Sequence, residues 1–559
     1  MLGHLALTDP RVDGLSKPHC MPVDPTKPGS KIVCTDFDAI DGGPVDPPHD
    51  FNSITKQVYG FAKPMGDKTS PELMNGFAMT APDNQVDFCL SAFNATSLPV
   101  LSALATEFAL FDAWHVSVPT CTNPNREVRG GALSLPPRRR RWCLRAPPAR
   151  APLPLGRWLC LSVSQFMMSG QSDGYTVNSF PDAGFPQQTH FTFLEKRGLS
   201  WKIYYADDPW MAPTFAELRT PAALSRVVEM EAFYNDLAQG TLSNYSLIQP
   251  RMATSKNGTS NWQHPDNSVS AGEQLLGEVY AALRASQYWQ DTALIITYDE
   301  HGGEYYIPCR CDERLSIVHL TARTLTTQFA HPRSFFDAAG FADHVPPPHV
   351  GIPAPNAILG DNGFDWTRLG VRVPTVVVSP YVAKNSVVHA PTGAQKQAPT
   401  SQWDATSIIA TTNRLFGIAD NLTARDAWAG VFTGLFDGPM RADCPMSMPA
   451  PRLPPAAAFA AELRTPLNDH HLDSLNLLCH LSEHAHALCA RHADARATQR
   501  LVAELRASGA PAADGAEWQF AGVYQHLVES AARLLQQQHF ADISQAMFGA
   551  YKAAMGVVA

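Results

Sequence analysis

The sequence predicts an α/β fold with a central, mostly parallel sheet flanked by helices. From about residue 98 onward, helical and strand patterns alternate along the chain. The strand-like runs are continuously apolar, which is typical of strands buried on both faces of a parallel sheet. Because 559 residues exceed the size of one hydrophobic core, we expect a main domain over residues 1–443 and a smaller second part.

The individual elements follow from apolar spacing. Helices are expected at 101–108 and 271–289, and strands at 200–206, 293–298 and 375–379. One apolar stripe marks the longer helix and consists of Leu275, Leu276, Val279, Tyr280 and Leu283. The apolar runs at 293–298 and 375–379 suit buried parallel strands. The residues that follow them, 299–303 and 379–381, are therefore expected at the carboxyl edge of the sheet, where such folds bind ligands.

Beyond residue 444 the composition changes. A Pro/Ala linker at 449–455 leads into Ala-, Leu- and His-rich sequence up to residue 559, which predicts a helical C-terminal appendage. Two segments, 128–165 and 304–340, interrupt coherent passages and are expected to be insert-like and disordered. The run Arg138 to Arg141 in the first segment allows a phosphate or lipid-headgroup contact, with a solvated insertion as the alternative.

Composition restricts the function classes. The chain is 45% hydrophobic and 17% charged with a net charge of −9, so it has no general attraction to nucleic acid. No run of eighteen apolar residues and no signal peptide are visible, and we expect at most peripheral contact with a membrane. Eleven cysteines without Cys-x-x-Cys spacing give weak support for disulfides. Four glycosylation sequons favour a secreted protein, at Asn94, Asn244, Asn257 and Asn421.

The strongest local signal is a pair of carboxylates and an imidazole at a strand end. Asp299, Glu300 and His301 emerge from a buried strand into a Gly-Gly turn. Hard oxygen ligands and His at such a position predict a site for a divalent metal ion that polarises a phosphoryl oxygen. The alternative is a solvated turn, because charged residues cluster in loops.

A second signal is the loop from Ser117 to Arg126, which follows an aromatic segment. A threonine hydroxyl in this loop could attack phosphorus if a metal or base lowers its pKa. Arg126 offers a planar pair of donors to phosphate oxygens. The alternative is an Asn-Pro turn with a capping threonine.

Together these motifs resemble the phosphoesterase family of the alkaline-phosphatase superfamily, which includes non-specific phospholipases C and acid phosphatases. The resemblance covers most of residues 1–430 and rests on an ordered series of matches. The matching segments are 46–51, 74–77, 98–114, 122–126, 200–210, 264–265, 299–303, 343–346, 369–380 and 423–430.

The resemblance implies an alkaline-phosphatase-like sheet and roles for individual residues. Thr122 would be the nucleophile and, with Asp299 and Glu300, a ligand of a divalent metal ion. His49 and His264 would bind phosphate or transfer protons. Four further residues would contact the substrate, which would be a phosphate ester or a phospholipid: Asn125, Arg126, His301 and His344.

Three departures from the family separate this chain from its expected pattern. A Glu-Asn-Arg-Ser-Phe-Asp-His motif that supplies a metal-binding Glu and Asn is expected immediately before Met1. At Asp404-Ala405-Thr406-Ser407 relatives often carry Glu-His-Ser-Ser. Removing residues 128–165 and 304–340 restores a family-like amino-acid sequence at both junctions. We therefore interpret these segments as retained introns.

These departures leave two other hypotheses open. The first is a catalytically impaired phosphoesterase-like protein, because loss of metal ligands weakens activity by orders of magnitude. The second is a zinc peptidase, because His480, Glu483 and His484 match the H-x-x-E-H pattern.

Overall fold

The computed structural model describes residues 1–120, 157–161 and 165–453, together with eight residues between 544 and 557. Within these ranges it leaves out residues 40, 42–46, 63–69, 82–84, 177–180, 182, 208, 210, 256–257, 265–266 and 303–340. In this part of the chain no helix is both long enough and apolar enough to cross a bilayer.

An eight-stranded sheet forms the centre of the molecule, and two strand pairs lie outside it. The strands are β1 Cys20–Pro22, β2 Ile32–Cys34, β3 Asp36–Ala39, β4 Ser91–Phe93, β5 Ala109–Phe111, β6 Arg157–Leu161, β7 Trp201–Tyr205, β8 Val227–Glu229, β9 Tyr245–Gln249, β10 Thr292–Ile296, β11 Thr375–Val378 and β12 Ser386–Val388. The order in the large sheet is β12-β5-β11-β10-β6-β9-β7-β8. β1 pairs with β2, and β3 pairs with β4.

Seven of the eight strands run in one direction. β11 alone is antiparallel to its neighbours β10 and β5, while every other pairing in this sheet is parallel. The mostly parallel sheet is therefore observed, but the prediction of a parallel strand at 375–379 is wrong. Residues 379–381 accordingly leave the sheet at the edge opposite to Asp299. A run such as Thr375–Val378, buried throughout, is apolar whichever way it points.

Strand β6 comes from the first predicted insert. It pairs in parallel with β10, from Thr292 opposite Arg157 to Ile296 opposite Leu161, and with β9 on its other side. The expectation of disorder is thus wrong for 157–161. Five residues with strand neighbours on both sides have their backbone groups bonded in two ladders, which is enough to order them.

Thirteen α-helices surround or extend the sheet in the described residues. They are α1 Leu2–Thr8, α2 Phe51–Tyr59, α3 Phe77–Thr80, α4 Val86–Cys89, α5 Pro99–Glu107, α6 Gln165–Ser169, α7 His190–Lys196, α8 Met211–Thr214, α9 Pro221–Leu224, α10 Glu231–Gln239, α11 Val269–Ala285, α12 Thr406–Phe416 and α13 Ala424–Trp428. Short 3₁₀ helices lie at Ala216–Arg219, Trp289–Asp291, Gly393–Gln395 and Thr433–Phe436.

The predicted stripe of α11 is confirmed as its buried face. All five of its apolar residues are buried in the main core, together with β10 and α5. Ser268 caps the helix by accepting a hydrogen bond from the backbone of Ala271. The helix ends at Ala285, and a 3₁₀ turn over Trp289–Asp291 replaces the last turn that the apolar pattern predicts.

A disulfide-linked hairpin supports the second, smaller core. Cys20 and Cys34 form a disulfide across β1 and β2. Met21 from this hairpin packs in a cluster with α2, α3 and Phe341. Gly76 lets the chain before α3 approach α2 closely, because a Cβ at this position would lie 1.8 Å from the Lys56 carbonyl oxygen. The hairpin, α3 and α2 therefore form one packed unit.

The appendage predicted at 444–559 lies mostly outside the described residues, as do His480, Glu483 and His484. Its described end packs on the sheet edge formed by β7 and β8. Phe548 meets the ring of Tyr205 at 5.9 Å between centroids, and the Lys552 ammonium donates to the carbonyl of Val227. This end of the chain therefore contributes to the main core.

A buried carboxylate from α11 holds the start of α5. Glu273 accepts hydrogen bonds from the backbone amides of Val100 and Leu101, at 2.5 and 3.1 Å. These are orphan donors of the first helical turn, so a carboxylate there suits the helix dipole. Burial raises the pKa of Glu273 to about 8.

Glu273 makes a pH-dependent contribution to stability. A folded-state pKa above the unfolded value means that the folded state binds more protons, so stability falls as pH rises from about 4.5 to about 8. Glu273 contributes at most about 1.4 kcal/mol per pH unit to the slope of the unfolding free energy against pH. We expect Glu273→Gln to remove that slope, as measured by urea unfolding at pH 5, 6.5 and 8. Glu278→Gln, at an exposed position of the same helix, should leave it unchanged.

Candidate functional site

The strand directions bring most of the candidate residues to one edge of the sheet. The carboxyl ends of β5, β9 and β10 lie at this edge, and so does the amino end of β11. The segments that start there are 112–120 after β5, 250–264 after β9 and 297–302 after β10. Open α/β sheets bind ligands at this edge. Most of the predicted site residues that the structure describes belong to these three segments.

The paired acids lie in a tight turn directly after β10. Thr297 is held by a 2.6 Å hydrogen bond between its hydroxyl and that of Thr375, at the amino end of β11. Glu300 is buried and accepts a 2.6 Å hydrogen bond from the backbone amide of Gly302. Asp299 is partly exposed. The turn therefore offers two carboxylates from adjacent residues, one turned inward and one nearer the surface.

His49 lies against this turn. Its ring is completely buried, and its Nε2 is 3.8 Å from Oε2 of Glu300. Nδ1 lies 3.1 Å from the carbonyl oxygen of Pro47, which sets the ring orientation. Asp50 starts α2 by accepting hydrogen bonds from the amides of Asn52 and Ser53. His49 and Glu300, 251 positions apart in the sequence, thus lie side by side, and the predicted role of His49 stays a prediction.

His301 points into the packing between the turn and α2. Its Nε2 is 2.9 Å from Oε1 of Gln57, and its ring stacks on Phe341 with 6.3 Å between centroids. Burial lowers the pKa of His301 to about 4, so the ring is neutral near pH 7. The Gln57 amide in turn donates to the carbonyl of Pro48, next to His49. His301 therefore links the acidic turn to α2, and its predicted contact with substrate stays a prediction.

His264 lies in the segment that follows β9. Its ring stacks on Trp262 at 4.6 Å between centroids. The preceding residue, Gln263, accepts a 2.6 Å hydrogen bond from the hydroxyl of Tyr298, which immediately precedes Asp299. The segment that carries His264 is thereby fixed to the segment that carries both acids.

The segment after β5 carries the predicted nucleophile loop. Residues 114–116 run between two neighbouring segments: the His115 amide donates to the carbonyl of Trp403, and the Val116 amide to that of Val371. Thr120 is buried and donates a 2.7 Å hydrogen bond from its hydroxyl to the carbonyl of Thr176. Thr122, Asn125 and Arg126 lie outside the described residues, so their predicted roles stay predictions.

A small aromatic cluster joins the segment of His49 to the segment of Thr120. Phe51, two residues after His49, packs with Val118, two residues before Thr120. Phe364 and Trp366 complete the contact, and the rings of Phe51 and Phe364 lie 4.8 Å apart between centroids. The chain leading to Thr122 therefore reaches the same cluster as the chain leading from His49.

Sequence reasoning missed the buried ion pair that holds this region. Arg425 has no exposed surface, and its Nη1 donates to the carbonyl of Ser117 at 2.9 Å and approaches Asp404 Oδ2 at 3.3 Å. It also donates to the carbonyls of Trp366 and Pro353. No local pattern links residues 308 positions apart. The only sequence signal was that Asp404 stands where relatives often carry another acid.

His344 belongs to a second ionic group at the same edge. Its Nε2 lies 3.0 Å from Oδ1 of Asp13, and its neighbour Asp343 forms two hydrogen bonds with Arg372, at 2.8 and 2.9 Å. Burial alone would raise the pKa of Asp343, but Arg372 outweighs it and holds this pKa at about 2. Arg372 lies at this edge three residues before β11, and its guanidinium donates to the carbonyl of Asp112. The strand therefore begins at this edge and runs towards the opposite one.

The donor set is chemically suited to a divalent cation but is incomplete in the described residues. Carboxylate oxygens from Asp299 and Glu300 are ligands that hard cations prefer. Among the residues that the structure describes, no group of three or more His, Cys, Asp or Glu could hold a metal ion. The remaining predicted ligand, Thr122, is not among them.

Comparison with known proteins identifies similar sequences over most of the chain. Residues 13–307 and 334–419 match the model of the Phosphoesterase family. The gap in this match, 308–333, falls inside the second predicted insert, 304–340.

Curated relatives are phospholipases C from plants and bacteria. Non-specific phospholipase C1 of Arabidopsis thaliana is 34% identical over 468 residues, covering 81% of this chain and 71% of the relative. Non-specific phospholipase C4 of the same plant is 32% identical over 420 residues, covering 73% and 63%. Phospholipase C A of Mycobacterium tuberculosis is 22% identical over 389 residues, covering 64% and 59%.

The buried pair of Arg425 and Asp404 predicts a large effect on stability. Arg425→Met leaves Asp404 buried without its partner and frees three backbone carbonyls, so we expect a loss of about 3–5 kcal/mol in unfolding free energy. Urea unfolding of the variant and of the unchanged protein measures this loss in the free energy of unfolding. Arg414→Met, at an exposed position of α12, is the matched control and should change stability by less than about 0.5 kcal/mol. Equal small losses in both variants would contradict a supporting role for Arg425.

Proposed function

The chain belongs to the phosphoesterase family, and we propose that it hydrolyses phosphate esters or phospholipids with a threonine nucleophile and a bound divalent metal ion. The observation that carries this proposal is the 3.8 Å approach of His49 to Glu300 beside the segment that leads to Thr122. Relatives named phospholipase C are hydrolases of phosphoric esters, which supports the same reaction class.

Thr122, Asp299 and Glu300 would hold the metal ion. When bound, it would supply charge neutralisation for the phosphoryl oxygens and a lower pKa for the nucleophilic hydroxyl. The inward position of Glu300, bonded to the Gly302 amide, keeps one carboxylate in a defined orientation. Asp299, nearer the surface, would supply the second carboxylate.

The reaction would proceed in two displacements. Oγ of Thr122 attacks phosphorus, the bond from phosphorus to the leaving oxygen breaks, and the leaving oxygen takes up a proton. Water then attacks the phosphothreonine and releases phosphate or a phosphorylated head group. His49, beside Glu300, and His264, in the segment bonded to Tyr298, would transfer these protons or bind phosphate oxygens. Asn125, Arg126 and His344 would orient the phosphate.

We extend the proposal to the fold and infer an alkaline-phosphatase-like arrangement of the central sheet. Two features support this arrangement. Seven strands run in one direction with a single antiparallel strand, and the candidate site lies where the strands that precede the nucleophile loop and the acids end. The helices α5 and α11 pack beside the sheet in the manner that such a layered fold requires.

The catalytically impaired alternative is tested by direct assay. The chain is compared with a version that carries the Glu-Asn-Arg-Ser-Phe-Asp-His motif ahead of Met1, using p-nitrophenyl phosphate and phosphatidylcholine with added divalent metal. Hydrolysis by both versions supports the proposed function for this chain. Hydrolysis by the extended version alone identifies this chain as the impaired form, and hydrolysis by neither contradicts the proposal.

Thr122 is the residue whose loss should stop the chemistry. We expect Thr122→Ala to lower kcat on p-nitrophenyl phosphate at least about a thousandfold and to abolish labelling of the protein by substrate phosphate. Thr120→Val removes the hydrogen bond to the carbonyl of Thr176 and should retain at least about a tenth of the rate. If Thr120→Val fails and Thr122→Ala retains activity, the nucleophile is assigned to the wrong threonine.

Metal dependence has a readout that is independent of turnover. We expect Mn²⁺ to raise the Tm of the protein and to bind in calorimetric titration, because binding to the folded state alone stabilises it. Glu300→Gln should weaken this binding at least about tenfold, and Glu278→Gln should not. Equal Mn²⁺ affinity in all three proteins would remove Glu300 from the ligand set.

A further inference from the structure

An uncharged, partly exposed segment runs along one side of the site. We call residues 350–359 the apolar ridge. Val350, Ile358 and Leu359 are 71%, 46% and 61% exposed, so three of the nine large hydrophobic side chains that are exposed in the described residues lie within ten positions of one another. Residues 345–360 contain no Asp, Glu, Lys or Arg. Such a stretch has no charge with which to recognise a charged protein partner.

The ridge is anchored to the body of the protein through its backbone. Four of its carbonyls accept hydrogen bonds from outside the segment, namely those of Gly351, Pro353, Pro355 and Ile358. Pro353 and Pro355 also carry no amide donor. The exposed side chains of the ridge are therefore presented by a segment that is held in place.

A shallow cavity, wide open to solvent, lies directly beside the ridge. It measures about 510 Å³ and is lined mainly by small and apolar residues. Ile352 and Pro353 come from the ridge, and Ala424, Ala427 and Trp428 come from α13. A cavity of this size accommodates part of an acyl chain, and its lining offers few polar partners to a soluble ligand.

Two connections tie the ridge and the cavity to the proposed site. Asp361, two residues beyond Leu359, accepts a hydrogen bond from the Thr176 hydroxyl, and the Thr176 carbonyl accepts one from Thr120. At the other end, the Arg425 guanidinium binds the carbonyls of both Pro353 and Ser117. The ridge is therefore fixed to the chain that leads to Thr122.

We propose that the apolar ridge is the surface by which the protein docks on a zwitterionic phospholipid bilayer, with the adjacent cavity receiving an acyl chain. The inference rests on the proposed function, because it names phospholipid as the substrate class of that site. Val350, Ile358 and Leu359 insert below the head groups. Because the segment carries no Asp, Glu, Lys or Arg, neither the positive nor the negative charge of a zwitterionic head group repels it. The head group of the docked lipid then lies towards Thr120 and the acidic turn.

The test uses the full chain and vesicles of phosphatidylcholine in a sedimentation assay. The double variant Val350→Asp/Leu359→Asp should lower vesicle affinity at least about tenfold, since two inserted side chains are replaced by charges. The control Ile32→Asp/Met446→Asp changes two side chains of similar exposure elsewhere, 59% and 62%, and should bind vesicles as the unchanged protein does. Hydrolysis of p-nitrophenyl phosphate, which needs no bilayer, is expected to stay the same in both variants.

The outcomes separate this inference from the proposed function. If the ridge variant binds vesicles normally, if the control also loses binding, or if the unchanged protein does not bind, the docking surface is wrong even where hydrolysis persists. If no protein hydrolyses either substrate but the ridge variant alone loses vesicle binding, the proposed function fails and the surface stands. A dimer that the ridge variant abolishes, without vesicle binding, would identify a second copy of the chain as the occupant and overturn the proposal.

Discussion

A guanidinium with no exposed surface binds three loops together at the site edge of the sheet. Arg425 donates to the carbonyls of Ser117, Trp366 and Pro353, and it faces the carboxylate of Asp404. A buried charge with this number of partners tolerates little displacement, because each lost hydrogen bond would leave a group that water cannot reach. The nucleophile loop, the aromatic cluster and the apolar ridge are thus positioned by one side chain.

The same edge has a consistent electrostatic pattern. Three buried arginines lie near it, and each is already paired: Arg425 with Asp404, Arg372 with Asp343, and Arg368 with Glu72. Their charges are balanced within the protein, so they order loops and contribute little attraction for a phosphate anion. Under the proposed function, neutralisation of the substrate therefore falls to Arg126 and to the metal ion. This division separates the residues that shape the site from those that would meet the substrate.

The sequence predicted the local parts of this arrangement well. β10, the turn from Asp299 and the buried face of α11 follow from apolar periodicity and from polar residues at a strand end, which are properties of neighbouring positions. The direction of β11 did not follow, because a continuously apolar run has no polarity along its axis. The pairing of Arg425 with Asp404 and Ser117 also did not follow, because it depends on how distant segments meet. His301 points inward for a similar reason, since Gln57 and Phe341 are its partners only in the folded chain.

Strand β6 holds the two parts of the sheet together. On one side of it lie β12, β5, β11 and β10 with Thr120 and the acids, and on the other lie β9, β7 and β8 with the segment of His264. A chain from which residues 128–165 were deleted would retain every other described strand but would have an open slot between β10 and β9. Another stretch of polypeptide would have to fill that slot, or the imidazole of His264 would no longer share a rigid platform with the carboxylates it is proposed to assist. The presence of residues 157–161 would then decide whether the segment of His264 and the acidic turn are held in one sheet.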